Sequence, residues 1–383
     1  MKNNWWPKQG WVLLVIIALC GAIVYMHRQS FLDTDKVVVD ERLYNIGVLL
    51  DDSAHDNYWN VSHYNGFEAA AKELGVTIHY KTSVSGHDKE AIRKAGDELI
   101  EEGCGQIFAI GFVYSEGIQE FAQKHPEIFF FQCGGMQTAP NMSIYFGRMY
   151  QPRYLSGMAA GMRTKTNHIG FVASIPTPQT IRAVNAFTLG VQRVNPQAVV
   201  HIRWVNGWNN SQKEVAVTKE LLQDYPIDVV THHQNNSKLL EAARDMGAEG
   251  IGYHYSDMNK FPITMLTAVE WDWKEFYIKM IQDCIAGKFS DKAYYLGLNS
   301  NTVKLAPIRQ GALAKEQIAF IDSVKDSMVA GNWDVFYGPI YSQDDQLMIG
   351  EGQNPSDKYL VTDMNWFVKG VEGNIDGTNN GKI

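Results

Sequence analysis

Cysteine is scarce, with 4 in 383 residues. None stands in C-x-x-C spacing, which argues against a zinc site or a dithiol redox centre. Cys20 falls in the N-terminal apolar run, and Cys104, Cys133 and Cys284 make an odd remainder. Cys104 precedes an apolar strand and Cys133 ends one, so both are expected as buried thiols, with a bridge between two of the three left open. Positive charge is also short. Lys and Arg total 34 against 42 Asp and Glu, a net charge of -8, which argues against a nucleic-acid footprint. There is no G-x-S-x-G and no Walker sequence, and Gly103-x-Gly105 lacks the third glycine of a dinucleotide loop. His233 and Asp257 could imitate an acid–base pair, but nothing supplies a nucleophile. His232-His233 has no third metal ligand at a legible spacing. The expectation is therefore a protein with no catalytic residue, no metal and no cofactor.

What is present describes a folded chain, 45% hydrophobic and 20% charged, long for one core and comfortable for two. Its 10 tryptophans are too many to bury without partners for their indole N–H groups, so several must line a surface. Lys2 and Lys8 precede the uncharged run Trp11–Met26, and His27-Arg28 close it. This run is short for a membrane span and also fits a signal sequence. Residues 1–28 are read as a signal or membrane anchor, cleaved or retained, or as a lipoprotein signal with Ile17-Ala18-Leu19-Cys20 as its lipobox. Each reading places the remainder outside the cytoplasmic membrane, with residues 29–42 as a polar linker.

The chain is organised around Leu43–Gly75. Leu43–Leu50 reads as a buried strand, Asp51–Asn57 as a polar loop, and Tyr58–Gly75 as a helix with Asp56 or Asn57 as N-cap and Gly75 as its stop. A strand over Val76–Tyr80 completes a βαβ unit, the signature of a parallel sheet flanked by helices. Helices over Lys89–Glu102 and Ser115–Lys124 alternate with strands at 106–110, 128–132 and 142–146. A helix over Arg153–Thr164 follows, and the alternation then restarts at His168. The second series has strands at 168–173, 198–205, 227–231 and 250–253. Ile263–Val269 leads into a helix over Trp273–Ala286, with a strand at 294–298, a helix over Ala314–Ala330 and a hairpin near Tyr337–Gly352 beyond. Two α/β lobes joined by more than one crossing predict a hinged pair with a cleft between them.

Ligands of such sheets sit beyond the carboxyl ends of the strands. The loops there carry Asp56, Trp59 and Asn60; Phe112; Trp208; His233 and Asn235; Asp257; and Glu270. Rings paired with amides and carboxylates suit a flat heteroaromatic ligand, stacked on its faces and hydrogen-bonded at its edge. Trp59, Phe112 and Trp208 are expected to stack, Asp56, Asn60, His233, Asn235 and Asp257 to give polar contacts, and Glu270 to sit at the rim. Simpler roles stand beside these. Trp59 and Phe112 could be core, His233 could belong to a surface loop, Asp257 could cap the segment after it, and Glu270 could be a solvated helix end.

The order of these loops resembles the basic membrane protein family of ABC-transporter substrate-binding proteins, known for purine nucleoside receptors. The resemblance rests on Asp56-x-x-Trp59-Asn60-x-x-x-x-x-Gly66, the run Tyr150–Thr166, Val194-Asn195-Pro196 and Trp204-Val205-Asn206-Gly207-Trp208. Ser256-Asp257-Met258, Thr231-His232-His233 and Leu266–Val269 look like a branch associated with purine bases. Glu270 stands near the place where nucleoside receptors carry a lysine, and the His233–Asn236 loop departs from that branch. The resemblance implies a two-lobed α/β fold of the type I periplasmic-binding-protein kind. Lobe 1 would comprise 44–149 plus part of 270–300, lobe 2 150–268 plus part of 300–332, and a C-terminal extension 333–383. It implies a solute receptor, not an enzyme, that closes on a purine base or nucleoside and delivers it to an ABC permease. An anchored sensor with the same fold, reporting to a membrane or cytoplasmic partner, is the alternative, and a purine-converting enzyme is a third reading.

Overall fold

The computed structural model describes residues 40–55 and 57–379. The signal or anchor segment, Cys20, nearly all of the linker and Asp56 lie outside the described residues. Residues from Arg42 onward form one compact unit, and the fold is that of this unit.

Two parallel sheets account for it. The first is built from β1 (Asn45–Leu49), β2 (Thr77–Lys81), β3 (Gln106–Ile110), β4 (Phe129–Cys133), β5 (Met142–Gly147) and β11 (Ala293–Leu296), in the order β11-β5-β4-β3-β1-β2. The second uses β6 (His168–Ala173), β7 (Val199–Trp204), β8 (Val229–His232), β9 (Glu249–His254), β10 (Met265–Trp271), β12 (Val303–Leu305) and β15 (Val371–Glu372), in the order β12-β10-β9-β8-β6-β7-β15. Every pairing in both sheets is parallel except that of β10 with β12. A hairpin of β13 (Ile340–Tyr341) and β14 (Leu347–Ile349) stands apart. The chain leaves the first sheet after β5, returns for β11 and leaves again for β12, so it crosses between the lobes three times. This is the two-lobed type I architecture, with a hinge between the lobes.

The helices follow their local signals. In α1 (Tyr58–Leu74) the Asn57 side chain accepts from the Asn60 N–H at 2.8 Å, and Gly75, at φ 69°, ends the helix in the left-handed conformation. Helices α2 (Lys89–Glu101) and α3 (Ser115–Lys124) complete the first lobe's alternation. α4 is Tyr150–Arg163, beginning three residues earlier than the sequence reading. Pro152 sits in its first turn, where a missing N–H costs no helical hydrogen bond. α5 (Pro178–Val194) starts with Thr177 as N-cap and Pro178 in its first turn. It packs on α4 at backbone contact: a Cβ on Gly157 would lie 2.0 Å from the Phe187 carbonyl oxygen, and one on Gly190 2.0 Å from that of Tyr154. α6 (Ser211–Asp224), α7 (Lys238–Asp245), α8 (Lys274–Ile285), α9 (Lys315–Val329) and α10 (Asp357–Thr362) complete the set.

Four elements are absent from the sequence reading: β10, β12, β15 and α10. The segment leading into the Trp273 helix is itself a core strand, β10, because its mixed Thr and Ala content hides a run buried on both faces. β15 is also a strand, although two residues are too few to show a period. Cys104, Cys133 and Cys284 are buried free thiols. No helix among the described residues is long and apolar enough to cross a membrane.

Candidate functional site

A cavity of about 290 Å³ lies where the carboxyl ends of both sheets converge. From the first lobe it receives Asp51 after β1, Trp59 in the first turn of α1, Phe112 after β3, Tyr145 and Phe146 from β5, and Tyr295 from β11. From the second come Gln179 and Arg182 of α5, Trp208 after β7, Asn235 after β8, and Tyr253 and His254 at the end of β9. Val361 of α10 adds a contact from the C-terminal extension.

Trp59 packs against other aromatic rings. The rings of Trp271 and Trp273 stack on each other at 4.9 Å and 13°, and Trp59 meets both edge-on, at 5.6 Å and 6.2 Å. The Trp271 indole N–H donates to His254 Nδ1 at 2.8 Å. That bond leaves the proton on Nε2, which donates to the Asn235 side-chain oxygen at 3.0 Å. Burial holds the His254 pKa well below the usual histidine range, so the ring is neutral with one tautomer fixed from both sides. His254 also has a left-handed backbone, φ 69°, unusual for a residue with a side chain. Asn235 thus shows the cavity an amide whose orientation is set by its neighbours.

The polar groups of the cavity differ in sign. Asp51 is open to the cavity, but the protein packed around its carboxyl displaces water and raises its pKa, an effect that a hydrogen bond from the Asn60 side chain offsets in part. Arg182 is 5% exposed. One of its guanidinium N–H groups donates to the Leu360 carbonyl of α10, and burial lowers its pKa.

Four of the sequence-derived site residues line the cavity: Trp59, Phe112, Trp208 and Asn235. Phe112 is 47% exposed, so it is not core. Four others do not line the cavity. Asn60 is buried, with its side chain donating to the Ser53 carbonyl at 3.1 Å. His233 stacks on Tyr253 at 4.2 Å and meets its hydroxyl at 3.0 Å. Asp257 accepts from the Tyr58 hydroxyl, which also meets Ser237 at 2.9 Å. Glu270 lies half-buried on β10, in register with His254 and Lys304. Asp56 is outside the described residues. The sequence reading missed Asp51, Tyr145, Arg182, Tyr253, His254 and Tyr295. Tyr253-His254 could have been found, since they close a strand at the same edge as the loops that were chosen.

Tyr58 joins the lobes. Its backbone N–H donates to the Asn235 carbonyl at 2.8 Å and its hydroxyl reaches Ser237 and Asp257. These bonds run from the first lobe to the second.

Residues 43–329 match the ABC transporter substrate-binding protein PnrA-like (Bmp) family. The chain is 30% identical to a purine-binding protein of Brucella abortus, over 83% of this chain and 89% of that one. It is 29% identical to a putative ABC transporter glucose-binding protein of Haloferax volcanii, over 83% and 77%. Among solved structures it resembles an ABC transporter solute-binding protein from Aeropyrum pernix, with a TM-score of 0.66 at 17% identity, covering 82% of this chain and 95% of that one. At that identity the likeness concerns the fold.

Proposed function

Because the chain belongs to the PnrA-like (Bmp) family of ABC transporter substrate-binding proteins, we propose that it captures a purine base or nucleoside between its lobes and passes it to an ABC permease. The observation that carries this is the cavity, whose walls are flat rings from both lobes and whose polar groups sit at defined edges. Trp59, Phe112 and Trp208 stack on the ligand, Asn235 and Asp51 take its edge hydrogen bonds, and Asn60, His233 and Asp257 hold the wall in place. A volume of about 290 Å³ falls at the small end of ligand pockets, which run to about 300–1,000 Å³. The purine-binding relative supports the same ligand class. Residues 1–28 tether the binding unit outside the cytoplasmic membrane. Residues 44–149 with part of 270–300 act as one lobe, 150–268 with part of 300–332 as the other, and 333–383 as an extension.

The test is thermal unfolding of the full chain in detergent with adenine, hypoxanthine, guanine, their nucleosides, glucose and amino acids. A rise in Tm with purines alone is the expected result. A rise with glucose alone would move the chain to the ligand named for the Haloferax relative, and conversion of the ligand on release would make the protein an enzyme. Loss of purine uptake on deletion of the permease separates a transport receptor from an anchored sensor.

A further inference from the structure

We propose that Arg182 makes this site selective for purines carrying oxygen at the six-position (hypoxanthine, guanine, xanthine or their nucleosides) over adenine. The inference rests on the purine reading above and adds the edge by which the ring is read.

A guanidinium has five N–H donors and is always charged. Arg182 is 5% exposed and lines the cavity, yet among the described residues it makes one hydrogen bond, to the Leu360 carbonyl, and no ion pair. The carboxylate that acts on it electrostatically is that of Asp357. That carboxylate is occupied by Arg148, which it binds through both oxygens at 3.0 Å and 2.6 Å. The other surroundings of Arg182 are the tyrosines Tyr150, Tyr253 and Tyr295, with its guanidinium 5.8 Å from the Tyr150 ring centre. A desolvated cation whose remaining donors face a cavity is satisfied only by what fills the cavity.

Arg153, another buried arginine of the second lobe, makes a useful contrast. Arg153 donates to the Thr231 hydroxyl at 2.9 Å and the His232 carbonyl at 2.6 Å and covers the Tyr253 ring at 4.3 Å. It is spent on the fold and does not line the cavity. Arg182 is held by one bond and directed at the ligand space.

The ligand edge that suits it has two acceptors side by side. A 6-oxopurine offers oxygen at position 6 and nitrogen at position 7, the pair a guanidinium fork engages bidentately. Adenine presents a donor at position 6, which would face N–H groups with N–H groups. On the opposite lobe Asp51 supplies an acceptor for the proton that a 6-oxopurine carries on ring nitrogen 1 and adenine does not. A site built this way rejects the analogue because its own buried groups are left unpaired.

The test is calorimetric titration of the full chain in detergent with hypoxanthine, unsubstituted purine and adenine. Hypoxanthine should bind about ten- to a hundredfold more tightly than adenine, with purine between them. Arg182→Gln should lose most of the hypoxanthine affinity and bring the two ligands to within a fewfold, and Arg182→Lys should restore part of the preference. If Arg182→Gln fails to fold once the Leu360 contact is altered, the three-ligand order on the unaltered chain still decides. Equal or tighter binding of adenine overturns the role of Arg182 while leaving the purine reading intact. Binding of no purine, with binding of a sugar or a carboxylic acid instead, overturns both.

Discussion

In the proposed site Trp59 would meet a face of the ligand and Arg182 an edge. Stacking on an indole contributes about 1–3 kcal/mol. Trp59→Ala should therefore weaken purine binding by roughly ten- to a hundredfold in calorimetry; an unchanged Kd would remove Trp59 from the site. Tyr58 acts without touching the cavity. Tyr58→Phe deletes the hydroxyl that reaches Ser237 and the Asp257 carboxylate across the lobes. A hydrogen bond to a charged group contributes about 1.5–3 kcal/mol, so the closed form should lose population and apparent affinity should fall about tenfold. Small-angle scattering of the unliganded variant should show a larger radius of gyration, and an unchanged radius with unchanged Kd would make the clasp incidental. The stacking candidates are legible in the sequence because each stands in a polar loop or first helical turn, where an aromatic ring has no local reason to be. Tyr145 and Tyr253 are not, since a tyrosine inside an apolar strand reads as core. Arg182 is hidden for another reason: on a helix it looks like a solvated charge, and only the folding of Leu360 over it, 178 residues later, buries it.

At the scale of elements, the α4–α5 contact depends on two glycines that let backbone meet backbone. Adding a methyl at Gly157 or Gly190 places carbon 2.0 Å from a carbonyl oxygen, so the helices must separate. Each alanine variant should cost about 3 kcal/mol or more in urea unfolding, at the upper end of overpacking changes; a loss below 1 kcal/mol would show that the pair can slide. The small residues of α4 are visible in the sequence, but their partner on α5 is not, because a crossing pairs residues about 30 apart by geometry. The loops that carry Trp208 and Asn235 have their own support in Glu214, which accepts from the Asn210 N–H at 2.8 Å and the Asn236 side chain at 3.1 Å. Burial pushes its carboxyl pKa from 4.5 up to about 7. The folded state therefore keeps a proton that the unfolded chain has released, and stability falls as pH rises between 4.5 and about 7. Glu214→Gln should remove that fall, gaining about 3 kcal/mol over the original chain by pH 8 and nothing at pH 4. Parallel urea titrations across this range decide it, and two parallel curves would show that Glu214 is ionised without penalty.

As a whole molecule, the two lobes share more than a hinge. Three crossings join them, and Trp59 of the first rests on Trp271 and Trp273 at the point where the chain leaves the second sheet. Calorimetric unfolding should accordingly show one transition for both lobes, shifted upward by ligand. At a hundred times Kd the gain is about 2.7 kcal/mol. Two resolved transitions, only one of them ligand-sensitive, would contradict this. The two-lobed plan is readable from the restart of strand–helix alternation at His168. The role of the C-terminal residues is not, because they have little secondary structure and act by contact. Asn185 receives the Val368 N–H and gives its amide to the Trp366 carbonyl. The Trp204 indole donates to the Asn374 carbonyl at 2.6 Å, and its backbone is bracketed by Asn379.

That last arrangement sets an order of events in the life of the chain. β7 lies at the edge of its sheet until β15 pairs beside it, and β15 arrives some 170 residues later. During synthesis or passage across a membrane, N-terminus first, the second sheet carries a raw hydrogen-bonding margin for as long as the tail is still on its way. An exposed margin of this kind invites pairing with other chains. β15 thus works as a fastening applied from outside, and the second sheet is most open to stray pairing in the interval before that strand arrives.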